Sequence, residues 1–464
     1  MKTLLAFSCF TLLLLSAGAL QAVPTGSLLG MGFAGDGQLA GIDSNEVSGT
    51  IDSPEGLGPT NVTAVSAGYY HCLWLQSDGS MWGVGQETIG QLGNGTFGAG
   101  TGYTNIPVEI QSNGVIAISA GYDFSLFLKS DGTMWGMGDQ GAGELGDGTY
   151  GSSVDNYGTN MPVKITNGVV AISAGYQHSL FIKTDGSLWA MGDNTYGEYG
   201  NGGNASSDVP VEIQGSNVTA IAAGQYFSLF IKNDGSLWGT GDGTGGNLGN
   251  GRIADVYAPF EIATNNVVAA SAGGLFSLFL KTDGSLWGMG LNYYGQLGNT
   301  NVTTPISRPF EITTNVIAMA AGDYHSLFIR GDGSLWAMGQ NSYGQLGDGT
   351  YGGDLGYTNQ PEMITNGVIA VAAAYDDSLF VMGTAGPPPG YNQLTYQNTT
   401  GAALQFTYIG TVGTNYVLDR TFNLSPIVTW LPQETNTAGP GGVVEFFNTP
   451  DPATNNFWRV RALP

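Results

Sequence analysis

His178-Ser179-Leu180-Phe181-Ile182-Lys183-Thr184-Asp185-Gly186-Ser187-Leu188-Trp189-Ala190-Met191-Gly192 is the stretch whose reading decides the fold. Two short runs rich in apolar residues flank an Asp-Gly pair, and glycine's tolerance of positive φ makes that pair a tight hairpin turn. Leu180, Phe181 and Ile182 are consecutive, with no polar residue between them, so this hairpin needs cover on both faces. The stretch is also repeated. Its tryptophan recurs as Trp82, Trp135, Trp189, Trp238, Trp287 and Trp336, at spacings of 53, 54, 49, 49 and 49 residues.

Each copy carries the same neighbours. Upstream lies a small-residue apolar run such as Val115 to Gly121 or Val316 to Gly322; downstream lies a glycine-rich loop such as Tyr343-Gly344-Gln345-Leu346-Gly347-Asp348-Gly349, then a Pro-Val-Glu-Ile-like run. The unit therefore holds four short strands in about 50 residues, the size of a propeller blade. The ends of the array sharpen this. After Asp377-Ser378-Leu379-Phe380-Val381 no Asp-Gly-Ser-Leu-Trp follows, but Gly26-Ser27-Leu28-Leu29-Gly30-Met31-Gly32 matches Gly186 to Gly192, with Leu29 in the tryptophan position. The two fragments complete one blade, which predicts an all-β, seven-bladed propeller of four-stranded blades closed by the N-terminal strand, with its sheet edges protected.

Ala-Gly-Tyr-x-His-Ser-Leu, Asp-Gly-Ser-Leu-Trp-Gly-Met-Gly and Asn-x-Tyr-Gly-Gln-Leu-Gly resemble the signature of regulator of chromosome condensation repeats, and the resemblance covers Gly26 to Gly383. It implies a propeller that recognises proteins, as in nuclear exchange factors for a small GTPase and in secreted β-lactamase inhibitors. Exchange activity is not carried over, because the chain reads as exported and shows no GTPase-contact motif. WD-repeat and kelch propellers fit less well, since the Trp-Asp dipeptide and the kelch double glycine are absent.

Lys2, the apolar run Leu4 to Leu15 and the small residues Ala17, Ala19 and Ala22 have the layout of a secretory signal peptide over residues 1–22. The expected organisation continues with a propeller over 23–383, a proline-rich linker over 384–390 and a small β-sandwich-like domain over 391–464. Within that last domain, Thr414-Asn415-Tyr416-Val417-Leu418 through Thr429-Trp430, ending in Phe457-Trp458-Arg459-Val460-Arg461, resembles a C-terminal β-module common on exported bacterial proteins. The expected location is secreted, periplasmic or at the cell envelope. The apolar run is too short to span a bilayer, so no membrane insertion is expected. Of the two cysteines, Cys9 lies in the leader, which leaves Cys72 without an intrachain disulfide partner.

The 464 residues hold 12 basic and 36 acidic side chains, a formal net charge of −24. Phosphate backbones call for clustered Lys and Arg, so nucleic acid is excluded as a partner class. Glycine, at 76 residues, is well above its ordinary share of about 7% while apolar residues stay at 42%, a composition of turns and core rather than disorder.

His71, His178 and His325 occupy one repeat position, where Phe124, Phe227 and Phe276 stand in other copies; exchange with phenylalanine marks a packing position, although a three-histidine metal site stays open. Cys72 follows His71, but adjacent strand residues point to opposite faces, so it reads as a small buried hydrophobe, not a nucleophile. Asp78, Asp131, Asp185, Asp234, Asp283 and Asp332 recur in every full copy and make turns, since an active site is needed only once. The six tryptophans likewise read as blade-core residues, each able to bury about 150 to 250 Å², with sugar stacking second. Asp147-Gly148-Thr149 and Asp348-Gly349-Thr350 invite comparison with calcium loops, but calcium wants about six to eight converging oxygens. No cofactor motif is present.

The copies differ most in the loops before the fourth strand, three of which are long and tyrosine-bearing. Tyr103, Tyr150, Tyr157, Tyr351 and Tyr357 are therefore the candidate partner contacts. The function expected is a monomeric, non-enzymatic, exported scaffold that binds a protein or cell-surface glycan through its loops. The alternatives are a polysaccharide hydrolase or lyase using carboxylates such as Glu87, Asp123, Asp242 and Asp323 at the channel mouth, and a structural cell-envelope protein.

Overall fold

The computed structural model describes residues 25–39, 49–98, 102–150, 158–300, 305–352 and 356–383, and the backbone of six further strands between 394 and 462. The proposed signal peptide and the proline-rich linker lie outside the described residues. All described elements are strands, and the chain divides into two compact units near Thr384.

The first unit is a ring of seven four-stranded antiparallel blades. In the third blade the strands run Val169–Ala174, His178–Lys183, Leu188–Gly192 and Ser207–Gln214, from the axis outward. The inner strands of neighbouring blades converge, which is why they are built from Ala, Ser, Val and Ile. Glycine ends most of these strands for a steric reason: a Cβ on Gly121 or Gly175 would lie 2.7 Å from the carbonyl oxygen of the equivalent glycine in the next blade. The second strand is buried along five consecutive residues, as the unbroken apolar run requires, and the clusters it anchors lie between blades. The outer strand is half-exposed and bulges beside its proline, in keeping with an edge position.

Closure is as the split repeat requires. Gly26–Phe33 pairs antiparallel with Asp377–Gly383, from Gly26 opposite Gly383 to Gly32 opposite Asp377. Leu29 faces Phe380 just as Trp189 faces Phe181. The outer strand of this blade is Thr50–Gly56.

The tryptophans sit on the third strand and are half-buried; the largest fully enclosed rings are instead Trp74, Tyr199 and the phenylalanines of the second strand. Trp189 stacks on Phe181 with centroids 6.2 Å apart, and Lys183 Nζ lies 3.8 Å from its ring. Lys232, Lys281 and Arg330 cap Trp238, Trp287 and Trp336 at 4.0 Å, while Gln76 stands in the basic position beside Trp82. The tryptophans thus close the outer rim of the inter-blade core.

The hairpin turn explains the recurring Asp-Gly-Ser/Thr. Gly186 takes φ 80° and donates its N–H to the Lys183 carbonyl. Asp185 accepts from both the backbone N–H and the hydroxyl of Ser187, at 2.9 and 2.6 Å, and Trp189 Nε1 donates to that same hydroxyl at 2.8 Å. These bonds hold the Asp185 carboxylate below its ordinary range.

The second unit holds two three-stranded antiparallel sheets. One orders Leu394–Asn398, Leu404–Ile409 and Val443–Asn448; the other orders Leu431–Thr437, Asn415–Thr421 and Phe457–Ala462.

Candidate functional site

Antiparallel connectivity sorts the loops of every blade onto two faces. The Asp-Gly turns and the links between blades share one face, joined by bonds such as Val115 N to Gly79 O. The turns after the inner strands and the variable loops before the outer strands share the other, joined by bonds such as Gln86 N to Tyr70 O and Asp193 N to Gln177 O.

On this second face the residue after each Ala-Gly turns toward the axis. It is Tyr69, Tyr122, Tyr176, Gln225, Gly274, Asp323 and Tyr375 in successive blades. The tyrosines touch. Centroid distances are 4.3 Å for Tyr69 with Tyr122, 4.1 Å for Tyr122 with Tyr176 and 4.1 Å for the stacked pair Tyr69 and Tyr375. Tyr226 and Tyr196 extend the chain of contacts beyond Tyr176, at 5.3 and 5.1 Å, and Tyr324 and Tyr294 extend it beyond Tyr375, at 6.0 and 5.3 Å. With Tyr70 against Tyr69 at 4.3 Å, nine rings form an open belt whose gap lies at Gln225, Gly274 and Asp323. Burial raises the hydroxyls of Tyr226 and Tyr324 to about 12. Inside it lies an axial cavity of about 90 Å³.

Carboxyls crowd the same face. Asp123, Asp323 and Asp376 are each raised to about 7, mainly by burial. Asp123 and Asp376 accept from the side-chain amides of Gln91 and Gln345, both at 3.3 Å. Those glutamines belong to the Gly-Gln-Leu-Gly loops, where each side-chain oxygen also accepts the backbone N–H two residues earlier. Glu144 and Glu198 occupy the same socket and make the same bond at 2.9 Å, but their second oxygens are buried without a partner. Desolvation accordingly raises Glu144 to about 8 and Glu198 to about 7, favouring the protonated acid, an amide mimic, in this socket.

The histidines do not converge. His71, His178 and His325 each meet a serine of the next blade, Ser125, Ser228 and Ser378, at 2.8, 3.0 and 2.8 Å, and burial lowers them to about 3, 4 and 3. At ring closure the pair becomes Asp377 and Cys72, with Sγ 3.6 Å from Oδ2; burial raises both groups. Among the described residues no group of three or more His, Cys, Asp or Glu could hold a metal ion.

The loop tyrosines are dispersed. Tyr103 is half-buried, its ring against Gly37 of the closing blade; Tyr150 is exposed; Tyr157 lies outside the described residues. Only Tyr351 and Tyr357 come together, with Asn341, Asp348 and Glu362, around an open cleft of about 610 Å³ on the sixth blade. Asp348 there binds the Thr350 N–H and hydroxyl and the Asn341 amide, so it staples the loop. Of the other carboxylates, Glu87 accepts from Asn94 and Thr96, at 2.6 and 2.9 Å. Asp242 lies against Asp255, whose carboxyl burial and this neighbour raise. Of the four candidate carboxylates, Asp323 alone lines the axial cavity, and the charges of Asp123 and Asp323 both help to raise the Tyr176 hydroxyl.

Fold and face together define a seven-bladed propeller with one varied, tyrosine-rich end. The regulator of chromosome condensation (RCC1) repeat matches residues 78–128, 131–182, 185–231, 234–280 and 283–329, more than half of the chain, and the protein belongs to that repeat family. Among curated relatives, the probable E3 ubiquitin-protein ligase HERC6 of Homo sapiens is 28% identical over 179 residues, 38% of this chain and 17% of HERC6. The ultraviolet-B receptor UVR8 of Arabidopsis thaliana is 26% identical over 223 residues, 46% of this chain and 48% of the receptor. The matches thus span about half of one relative and a small part of the other. Among solved structures, human WBSCR16 superposes with TM-score 0.67 at 20% identity, over 78% of this chain and 100% of that one. Prp20p of Saccharomyces cerevisiae, described with its binding to Gsp1p and histones, gives 0.66 at 18% identity, over 78% and 92%.

Proposed function

We propose that this protein is an exported, non-enzymatic binding scaffold whose tyrosine-rich face recognises a protein partner. The observation that carries the reading is the belt of nine tyrosines in successive ring contact at one mouth of the channel. Tyrosine offers a broad apolar ring with a polar tip at low conformational cost, the character of interface anchors. The variable loops surround the belt on the same face, which is where different members of a repeat family would differ in partner. The yeast relative's described binding to Gsp1p and histones supports protein recognition as the type of function. The strongly acidic composition disfavours nucleic acid.

The test is capture of binding proteins from cell-envelope material by the full chain, followed by affinity measurement with each purified candidate. The Tyr122→Ala, Tyr176→Ala double variant should lose binding while keeping its unfolding transition. A partner whose affinity is indifferent to that variant would refute the assignment of the face.

A second reading has its own observation. The cleft with Tyr351 and Tyr357 beside Glu362 and Asn341 offers aromatic platforms and hydrogen-bonding groups suited to a surface glycan. A glycan array probed with the full chain and with Tyr351→Ala tests it; no Tyr351-dependent signal would remove it.

A further inference from the structure

We infer that the gap in the tyrosine belt is a socket for one lysine or arginine side chain of the protein partner, with Asp323 as its counter-charge; this rests on the tyrosine face being the recognition face. The belt is complete through Tyr69, Tyr122, Tyr176 and Tyr375 and opens only where Gln225, Gly274 and Asp323 take the axial position. Gln225 and Asp323 line the axial cavity there, and Gly274 between them contributes no side chain, the Asp323 backbone lying against it. The cavity wall holds Tyr176 on one side and Tyr375 on the other, each in ring contact with a further tyrosine, Tyr226 and Tyr324. Tyrosine faces attract a cation placed over them, more strongly where water is excluded.

Asp323 lines this cavity and differs from its acidic neighbours. Asp123 and Asp376 are each met by a glutamine amide, whereas no hydrogen bond from a described residue reaches the Asp323 carboxyl. Nor does a described residue supply a base to it. Lys129, Lys183, Lys232, Lys281 and Arg330 are spent on aromatic rings at the opposite end of the blades. The described bases on the tyrosine face, Arg252 and Arg308, sit at the outer edges of the fourth and fifth blades.

Size selects the occupant. A cavity of about 90 Å³ is far smaller than the roughly 300–1,000 Å³ of pockets for drug-sized ligands, so it suits a single side-chain head group and not a folded segment. A bound metal ion fits less well, since the described residues bring no three carboxylate, histidine or cysteine ligands together.

Panning a dodecapeptide display library against the full chain at physiological salt tests the inference. Selected peptides that bind the tyrosine face should carry Lys or Arg at one fixed position. Replacing that residue by Gln, or using Asp323→Asn, should weaken binding about tenfold. Gln225→Glu, which adds a carboxylate to the same gap, should strengthen it, so a folding defect in Asp323→Asn does not decide the outcome. Peptides that depend on Tyr122 and Tyr176 but carry no common basic residue, or that bind all three proteins equally, would overturn the socket and leave the recognition face standing. Peptides indifferent to the tyrosines as well would overturn both.

Discussion

The two ends of the propeller are made from the same repeats and could hardly differ more. At the hairpin end each full blade repeats Asp-Gly-Ser/Thr with a tryptophan two residues on, and five of the rings are capped by Lys or Arg. At the other end the axial position runs through Tyr, Gln, Gly and Asp, acids outnumber bases, and carboxyls are driven toward neutrality by burial. Uniformity is what a closed ring needs, because each blade must offer its neighbour the same surface. Variation at a single end is what recognition needs. The difference separates residues that hold the blades together from residues free to meet something else.

That separation can be broken by experiment. Trp189→Ala removes the stack on Phe181 and the seat of Lys183, and should lower stability by about 2–3 kcal/mol, less than the full cost of a deeply buried aromatic. Chemical unfolding measures it, and partner affinity should stay within twofold. Tyr122→Ala should do the reverse. Its two close ring contacts at the mouth make it an anchor worth about 2 kcal/mol of binding, roughly a 30-fold rise in Kd, with a smaller change in stability. If either variant moved the other quantity more than its own, the two ends would not be functionally distinct.

The glutamate sockets make the same contrast in pH. Glu144 and Glu198, ordinarily near 4.5, are raised to about 8 and about 7 in the folded chain, so the native state binds the extra protons. Their favourable contribution is complete below about pH 4.5 and is lost as pH rises through 7 and 8. The buried histidines act oppositely: lowered from 6.5 to about 3 or 4, they cost stability as pH falls below 6.5. Melting temperature should therefore peak at mildly acidic pH and decline by pH 9. The Glu144→Gln, Glu198→Gln double variant restores the amide found at Gln91 and should flatten the alkaline decline, by about 1–2 kcal/mol at pH 9. An unchanged alkaline limb would mean the orphaned oxygens are not what titrates.

The repeated parts were legible because repetition multiplies weak signals. One Asp-Gly hairpin is common, but six at regular spacing plus a split copy define blade number and even the register of Leu29 against Phe380. Thr50–Gly56 was not legible: as an outer strand it pairs on one side only and is half-exposed, so nothing selects a strong apolar pattern. The belt escaped for another reason. Tyr69, Tyr122, Tyr176 and Tyr375 lie inside the repeat motif, where recurrence reads as structure, and positions 53, 54 or 306 residues apart touch only because the inner ends of the blades converge on the axis. Glu144 and Glu198 in a glutamine position, and Asp377 in a histidine position, were visible by aligning the copies. Their meaning depends on burial, which alignment of the copies does not report.

The smallest expected effect tests the quiet end. The link into each inner strand passes through a residue with positive φ, Asn61, Asn217, Asn266 and Asn315 in four blades, and Gly114, Gly168 and Gly367 in the other three. Asn315, at φ 61°, tolerates this conformation better than most residues with a Cβ, and glycine takes it freely. Asn315→Gly should therefore be nearly neutral, whereas Asn315→Ala should cost about 1 kcal/mol, read as a shift in the unfolding midpoint. Neither should change partner affinity, because this turn lies on the face opposite the tyrosines. Weaker binding by Asn315→Ala at equal folded fraction would show that the two ends communicate through the blade, and the division of labour between them would have to be redrawn.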